Sequence, residues 1–183
     1  MAVVVWTLDD PPDRTAPALD PAPPVQSTSS APSRTPVAET TPAKDRLDRP
    51  TPTRSAATVE QQVVRLVNAE RARAGCGALR VSPALHEAAR EHSSDMAARR
   101  VLDHRGAGGA GPGDRITAAG FRWSAYGENI AQGQPTPGSV VASWMDSPGH
   151  RANIVNCGYE QIGVAVARGP GGPWWTQVFA TPR

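Results

Sequence analysis

The side chains able to do chemistry near neutral pH are few: four histidines (His86, His92, His104, His150) and two cysteines (Cys76, Cys157). An imidazole that titrates close to neutrality serves as general acid, general base, pH sensor or metal ligand. His86-Glu87-Ala88-Ala89-Arg90 opens like the HExxH zinc motif but puts Arg90 where the second ligand must stand, which excludes a zincin. Ala88 breaks the reversed H-x-x-E-H reading around His92 in the same way, so His92 reads as a core histidine on an apolar helical stripe. No G-x-S-x-G elbow, P-loop or dinucleotide fingerprint is present, and the glycine-rich stretch Gly106 to Gly113 lacks the Lys-Ser/Thr of a phosphate cradle. His104 and His150 remain, with Glu128 as a carboxylate set in similar surroundings. Each lies beside turn-forming residues: Gly106 after His104, Gly127 before Glu128, Pro148-Gly149 before His150. Such positions bring side chains to loop ends around a pocket. Two imidazoles and a carboxylate suit Zn²⁺ with an open fourth position, or an acid–base pair, or simply three satisfied polar residues that anchor loops. The residue types alone leave these open.

Cys76 and Cys157 are too far apart in sequence for a zinc ribbon or a CxxC redox motif. They fit either one long-range disulfide or two buried thiols. A bridge closing so long a loop contributes about 4 kcal/mol through chain entropy and belongs in an oxidising compartment. The net charge of +2 is too slight to imply nucleic acid as a partner.

The elements that must position these residues begin near residue 57. Before it, residues 7 to 56 hold eleven of the nineteen prolines and no aromatic residue. Such a segment cannot bury enough apolar surface to offset the entropy of ordering, so residues 1–56 are expected to be a disordered spacer. Met1 to Trp6 is apolar but too short for an export or membrane segment; it reads either as the incidental apolar start of a cytoplasmic protein or, as the proline-rich segment after it favours, as the end of a signal or anchor helix. From 57 to 183 the pattern is that of one folded domain. Thr58-x-x-Gln61 is a capping box ahead of Val63, Leu66 and Val67 at helical spacing, and Gly75 supplies the residue after that helix. Ser82-Pro83 opens a second helix with Leu85, Ala88, Ala89, His92 and Met96 facing inward. A short helix is expected over Asp114 to Ala119, and Thr136-Pro137 opens another helix with Val140, Val141 and Trp144. Ile162 to Val166 and Trp174 to Phe179 read as strands joined through the glycine- and proline-rich turn Gly169 to Pro173. The pleat should send one of Trp174 and Trp175 into the core and the other outward. Helices first, with strands entering from Gly127 onward, argue for an α+β protein or a sheet flanked by helices.

Four segments, in order, resemble the CAP superfamily of cysteine-rich secretory, antigen 5 and pathogenesis-related proteins, in its bacterial SCP-like branch. They are Val63 to Arg71, Met96-Ala97-Ala98-Arg99 with Asp103-His104, Gly127-Glu128-Asn129-Ile130-Ala131, and Trp144-Met145-Asp146-Ser147-Pro148-Gly149-His150-Arg151-Ala152-Asn153-Ile154. The resemblance runs from about Val63 to Phe179. It implies an α/β/α sandwich around a three-stranded sheet, export, and a Cys76–Cys157 disulfide tying the turn after the first helix to the segment leading into Ile162. It also implies a cleft of two histidines and two acids, with His104, Glu128 and His150 taking three places. The second acid, usually three positions after the tryptophan, is Ser147 here, with Asp146 beside it. In function the resemblance implies an extracellular or envelope-associated module that binds a lipid, glycan, protein or cell-wall component. The alternative is a metal-assisted hydrolase of peptide or cell-wall material with Zn²⁺ held by His104, Glu128 and His150. A wall-associated structural domain with a vestigial cleft is the third reading. Nothing in the sequence specifies an oligomeric state.

Overall fold

In a computed structural model of the chain the described residues are Val4–Val5 and 57–183. The proline-rich segment expected to be a disordered spacer lies outside them, apart from β1 (Val4–Val5), a short strand where the sequence offered only an apolar stub.

Helix α1 (Val59–Arg73) is opened by Thr58, whose hydroxyl accepts from the Gln61 amide while the Gln61 side chain accepts from the Thr58 amide. It stops where Gly75 takes φ +77°, a left-handed conformation that costs glycine nothing. After β2 (Arg80–Val81), α2 (Pro83–Arg99) runs from the Ser82 cap to Arg100, and α3 (Pro112–Ala118) follows the glycine-rich loop. Helix α3 begins two residues earlier than expected, because Pro112 sits in its first turn and Asp114 Oδ2 accepts from the Gly111 amide. The remaining elements are β3 (Trp123–Gln132), α4 (Pro137–Asp146), α5 (Pro148–Ile154), β4 (Gln161–Ala167) and β5 (Trp174–Pro182). Two features go beyond the sequence reading. Strand β3 starts at Trp123 instead of Gly127, and α5 turns the Pro148 to Ile154 motif into a helix too short to show apolar periodicity.

The sheet runs in the order β1-β3-β5-β4-β2. Its antiparallel centre is β3-β5-β4, with β1 parallel to β3 and β2 parallel to β4 at the edges. Strand alternation divides the core into two layers. Ile162, Val164, Trp175 and Phe179 meet Val63 and Val67 of α1, Val140 and Trp144 of α4, and Ile154 of α5. Ala165, Val178 and Ala180 meet Leu85, Ala88 and Ala89 of α2 and Ile116 of α3, while Trp174 packs with Met96 and Ile130. The molecule is the α/β/α sandwich the resemblance implied. The pleat does split Trp174 from Trp175, yet both are buried, contrary to the expectation of one outward ring. Helices cover both faces of the sheet, so neither ring reaches water.

The ends of α1 and α5 are fastened twice. Cys76 and Cys157 are bonded, with Cα atoms 4.9 Å apart. Beside them the buried Arg71 guanidinium donates to the carbonyls of Gly77 (2.9 Å), Ile154 (2.9 Å), Asn156 (2.7 Å) and Tyr159 (3.1 Å). Replacing either cysteine is expected to cost about 2–5 kcal/mol in chemical denaturation, with the fold retained in the far-ultraviolet spectrum.

Helix α2 lies directly on β4, and Gly163 permits it. A Cβ there would fall 2.1 Å from the Leu85 carbonyl carbon and 2.3 Å from the His86 amide nitrogen, both backbone atoms that cannot swing aside. Gly163→Ala should therefore lift α2 from the sheet and cost about 3 kcal/mol in urea unfolding, at the upper end for overpacking. A loss below about 0.5 kcal/mol would show that the helix can move without penalty.

Candidate functional site

Alternation along β3 assigns its side chains to different tasks. Tyr126 and Ile130 join the apolar clusters under α2 and α3, and Glu128, between them in the same phase, faces the same layer. A carboxylate there is out of reach of water: Glu128 is 4 % exposed. Such a charge persists only if it is paired and hydrogen-bonded. His104, in the loop after α2, places Nδ1 2.8 Å from Glu128 Oε1. Arg115 of α3 donates from Nη2 to Glu128 Oε2 at 2.8 Å. The other Arg115 terminal nitrogen donates to the carbonyls of His104 (3.0 Å) and Ala110 (2.8 Å), so one guanidinium holds both the carboxylate and the loop carrying His104.

Burial alone would push the Glu128 carboxyl up, but the hydrogen bond from His104 and the charges of Arg115, His92 and His104 outweigh it and hold the group below the usual carboxylate range. An ionised carboxylate only accepts, so Nδ1 of His104 carries the proton and, in the neutral ring, Nε2 is the acceptor. The arrangement can orient an imidazole as a hydrogen-bond acceptor, base or single metal ligand, with Glu128 as the partner that fixes its tautomer.

His92 is a fourth member that sequence reasoning placed in the apolar core. It is indeed wholly buried, but its Nε2 stands 3.8 Å from Glu128 Oε1 and neither ring nitrogen has a hydrogen-bond partner. Burial, the first cause, depresses its basicity; the attraction of Glu128 opposes this and the charge of Arg115 adds to it. Arg115 was also missed. The available signal was a physical requirement: a buried Glu128 demands a cation, and Arg115 lies on the short helix next to the His104 loop.

The opposite face of β3 positions His150. Asn129 Nδ2 donates to the His150 carbonyl (3.1 Å) and to Gln177 Oε1 (3.1 Å), and Asn153 Nδ2 donates to Asn129 Oδ1 (2.9 Å) and the Glu128 carbonyl (3.3 Å). These amides fasten α5, with the half-buried His150 in its first turn, to the strand that carries Glu128. Gly127 lets α5 and the loop after it come close, since a Cβ there would sit 2.7 Å from the Tyr159 hydroxyl and 2.9 Å from Asn153 Oδ1. Asp146 is exposed at the end of α4 and Ser147 is the half-buried cap of α5. Asp146 is not among the charges acting on Glu128, and it lines a separate hollow with Met145, Pro148 and Arg151. The expectation that all three residues sit at loop ends also fails for Glu128, which is mid-strand.

The ligand set expected for Zn²⁺ does not fit as drawn. Both Glu128 oxygens are already engaged, one by a guanidinium whose charge opposes a cation. No group of three or more His, Cys, Asp or Glu among the described residues could hold a metal ion.

Two pH windows follow from the buried groups. His92 resists protonation in the fold, so an unfolded chain gains protons first as pH drops below about 6.5, and stability falls from there. Glu128 has a lowered value in the fold; its contribution is complete above the ordinary carboxyl range and is lost as pH falls through the folded value. Melting temperature should therefore decline in two stages between neutral pH and about pH 3. His92→Leu should flatten the upper stage and leave the lower one, since removing an unpaired buried polar group carries little penalty. An unchanged upper stage would show that His92 is not the group that titrates there.

Comparison with known proteins agrees with this architecture. Residues 64–179 match the Cysteine-rich secretory protein family, CAP. YkwD of Bacillus subtilis (strain 168) is 40% identical over 125 residues, 68% of this chain and 48% of that protein. The crystal structure of an extracellular protein containing a SCP domain from Bacillus anthracis str. Ames superposes with a TM-score of 0.63 at 28% identity, covering 66% of this chain and 39% of that one. An outer surface protein from Borrelia burgdorferi shares the fold, with a TM-score of 0.62 at 20% identity over 66% of this chain and 90% of that one. The chain thus spans about half the length of YkwD and less of the Bacillus anthracis protein. With the family match covering most of the folded part, and the sheet, both helical layers and the Gly-Glu-Asn strand in place, the chain belongs to the CAP, or cysteine-rich secretory protein, family.

Proposed function

We propose that the domain is an extracellular or envelope-associated binding module, and that the rim of the His104–Glu128 cluster contacts a cell-wall component. The observation that carries this reading is the commitment of both Glu128 oxygens, to His104 and to Arg115. That leaves the carboxylate to orient His104 and to clamp the loop around it, with each oxygen already accepting a hydrogen bond. Such a cluster is pre-organised, since its ordering entropy is spent on folding and not on association. The disulfide fits an oxidising compartment. The Bacillus anthracis protein is extracellular and the Borrelia one an outer surface protein, which supports the same location. No helix among the described residues is long and apolar enough to cross a membrane.

The test is co-sedimentation of the full chain with purified bacterial peptidoglycan sacculi, and separately with phosphatidylglycerol vesicles. Binding to sacculi is expected, weakened about tenfold by His104→Ala and unaffected by Asp146→Ala. Melting temperature should not rise with excess Zn²⁺. Failure to sediment with sacculi would overturn the reading. A Zn²⁺-dependent rise abolished by His150→Ala would favour the metal-assisted hydrolase instead.

A further inference from the structure

Outside the His104–Glu128 cluster, one tryptophan stands as the shared wall of two hollows. One, of about 320 Å³, is lined by Arg105, Asp114, Thr117, Trp123 and Tyr126 with Gly111 and Gly113. The other, of about 360 Å³, is lined by Thr117, Phe121, Arg122, Trp123 and Arg183 with Gly120. Each lies at the lower end of the size range of ligand pockets.

The ring between them is held in place. Trp123 Nε1 donates to Thr117 Oγ1 at 3.1 Å, and that hydroxyl donates onward to the Gly113 carbonyl at 2.8 Å. Tyr126 braces it edge-on, with centroids 4.6 Å apart and planes at 79°. Tyr126 is itself wedged against Gly113, where a Cβ would fall 2.9 Å from its ring. Trp123 nevertheless remains partly exposed, unlike the buried Trp144, Trp174 and Trp175. Its N–H is spent inside the protein, so what it offers solvent is apolar ring surface, fixed before any ligand arrives.

The polar groups around the ring are unbalanced in charge. Arg105 and Arg122 are exposed and take no part in the ion pairs of the described residues, Arg105 Nη1 donating only to the Gly109 carbonyl at 3.3 Å. The one acid in either lining, Asp114, already accepts from the Gly111 amide. A fixed apolar ring with guanidinium groups beside it matches a sugar whose C–H face lies on the indole and whose carboxylate meets an arginine fork. We propose that Trp123 is the platform of a binding site for acidic oligosaccharides, with Arg105 and Arg122 as the groups that select for the acid. Single-stranded nucleic acid also combines stacking with arginine, but its binding sites stack successive bases on several rings, and here a single ring serves both hollows. The site shares no side chain with the Glu128 cluster, so it stands or falls separately from the function proposed above.

The test is a two-dimensional NMR titration of the full chain, following the indole N–H signals of its five tryptophans. The probes are tetragalacturonic acid, neutral chitotetraose and an oligothymidylate. Tetragalacturonic acid should shift the Trp123 indole and the backbone amides of Gly113 and Thr117, and chitotetraose should bind at least about tenfold more weakly. Trp123→Ala should abolish the response. Because Trp123 also packs on the core, Arg122→Glu serves as a surface variant that leaves the fold intact, and it should weaken binding about tenfold. Asp146→Ala, at an exposed position lining a separate hollow, should leave the titration unchanged. The proposal is overturned if tetragalacturonic acid shifts nothing near Trp123, if Arg122→Glu binds as well as the parent, or if chitotetraose or the oligothymidylate binds as tightly as the acid.

Discussion

Glu128 carries a negative charge in a layer otherwise filled by Tyr126, Ile130, Ala89 and Met96, and the surrounding chain is arranged to make that tolerable. An ion removed from water costs several kcal/mol unless its field and its lone pairs are both answered. Arg115 answers the field and one oxygen, and His104 answers the other. Those two partners come from α3 and from the loop between α2 and α3, so the carboxylate fixes where both must lie. The same guanidinium binds the His104 and Ala110 carbonyls, and thereby closes the glycine-rich loop. Removing one partner of a buried pair costs about 3–5 kcal/mol, because the other charge is left behind. The cluster is therefore a condition of the local fold as well as a candidate site.

The other face of the sheet solves a different problem with neutral groups. Asn129, Asn153 and Gln177 bond to one another and to the carbonyls of Glu128 and His150, which joins α5 to β3 without placing any charge in that layer. Where a cation is buried on that side, it answers carbonyl dipoles. Arg71 faces four main-chain oxygens with no carboxylate among them, and burial lowers its basicity. Together with the disulfide it gathers the chain between α5 and β4 onto the end of α1. The Gly-Glu-Asn sequence then has a physical reading at each position: close approach, buried anion and inter-element amide, pointing in alternate directions along one strand.

How much of this was legible in the sequence differs by element. Helices α1, α2 and α4 were readable because each pairs a capping residue, Thr58, Ser82 or Thr136, with a continuous apolar stripe. Strands β4 and β5 were readable from β-branched and aromatic runs around a turn. Helix α5 was not, because seven residues opening on proline and glycine show no periodicity. The exposure of Trp174 or Trp175 was misjudged because alternation states which face a side chain takes and says nothing about what covers that face. In the site, His104 and Glu128 could be picked out by motif and do meet. Arg115 could not, since an arginine on a short helix looks like a solvated charge until the strand opposite is known to bury a carboxylate.

His92 shows the same limit from the other direction. Its place on the α2 stripe was correct, and that place is also what brings it to Glu128, since α2 lies on the face that β3 turns toward it. A histidine here cannot be treated as an apolar residue of convenient size. Its two nitrogens lack partners, its charged form is disfavoured by burial, and the nearest anion is already doubly bonded to stronger partners. The consequence is asymmetry within one cluster. His104 is tied to the carboxylate by a hydrogen bond from Nδ1. His92 would bring a second positive charge beside Arg115, with no hydrogen bond to hold it. Protonating His92 works against the packing of α2 on the sheet. The two imidazoles near one carboxylate are therefore held differently, His104 by a hydrogen bond of 2.8 Å and His92 at 3.8 Å with no hydrogen bond.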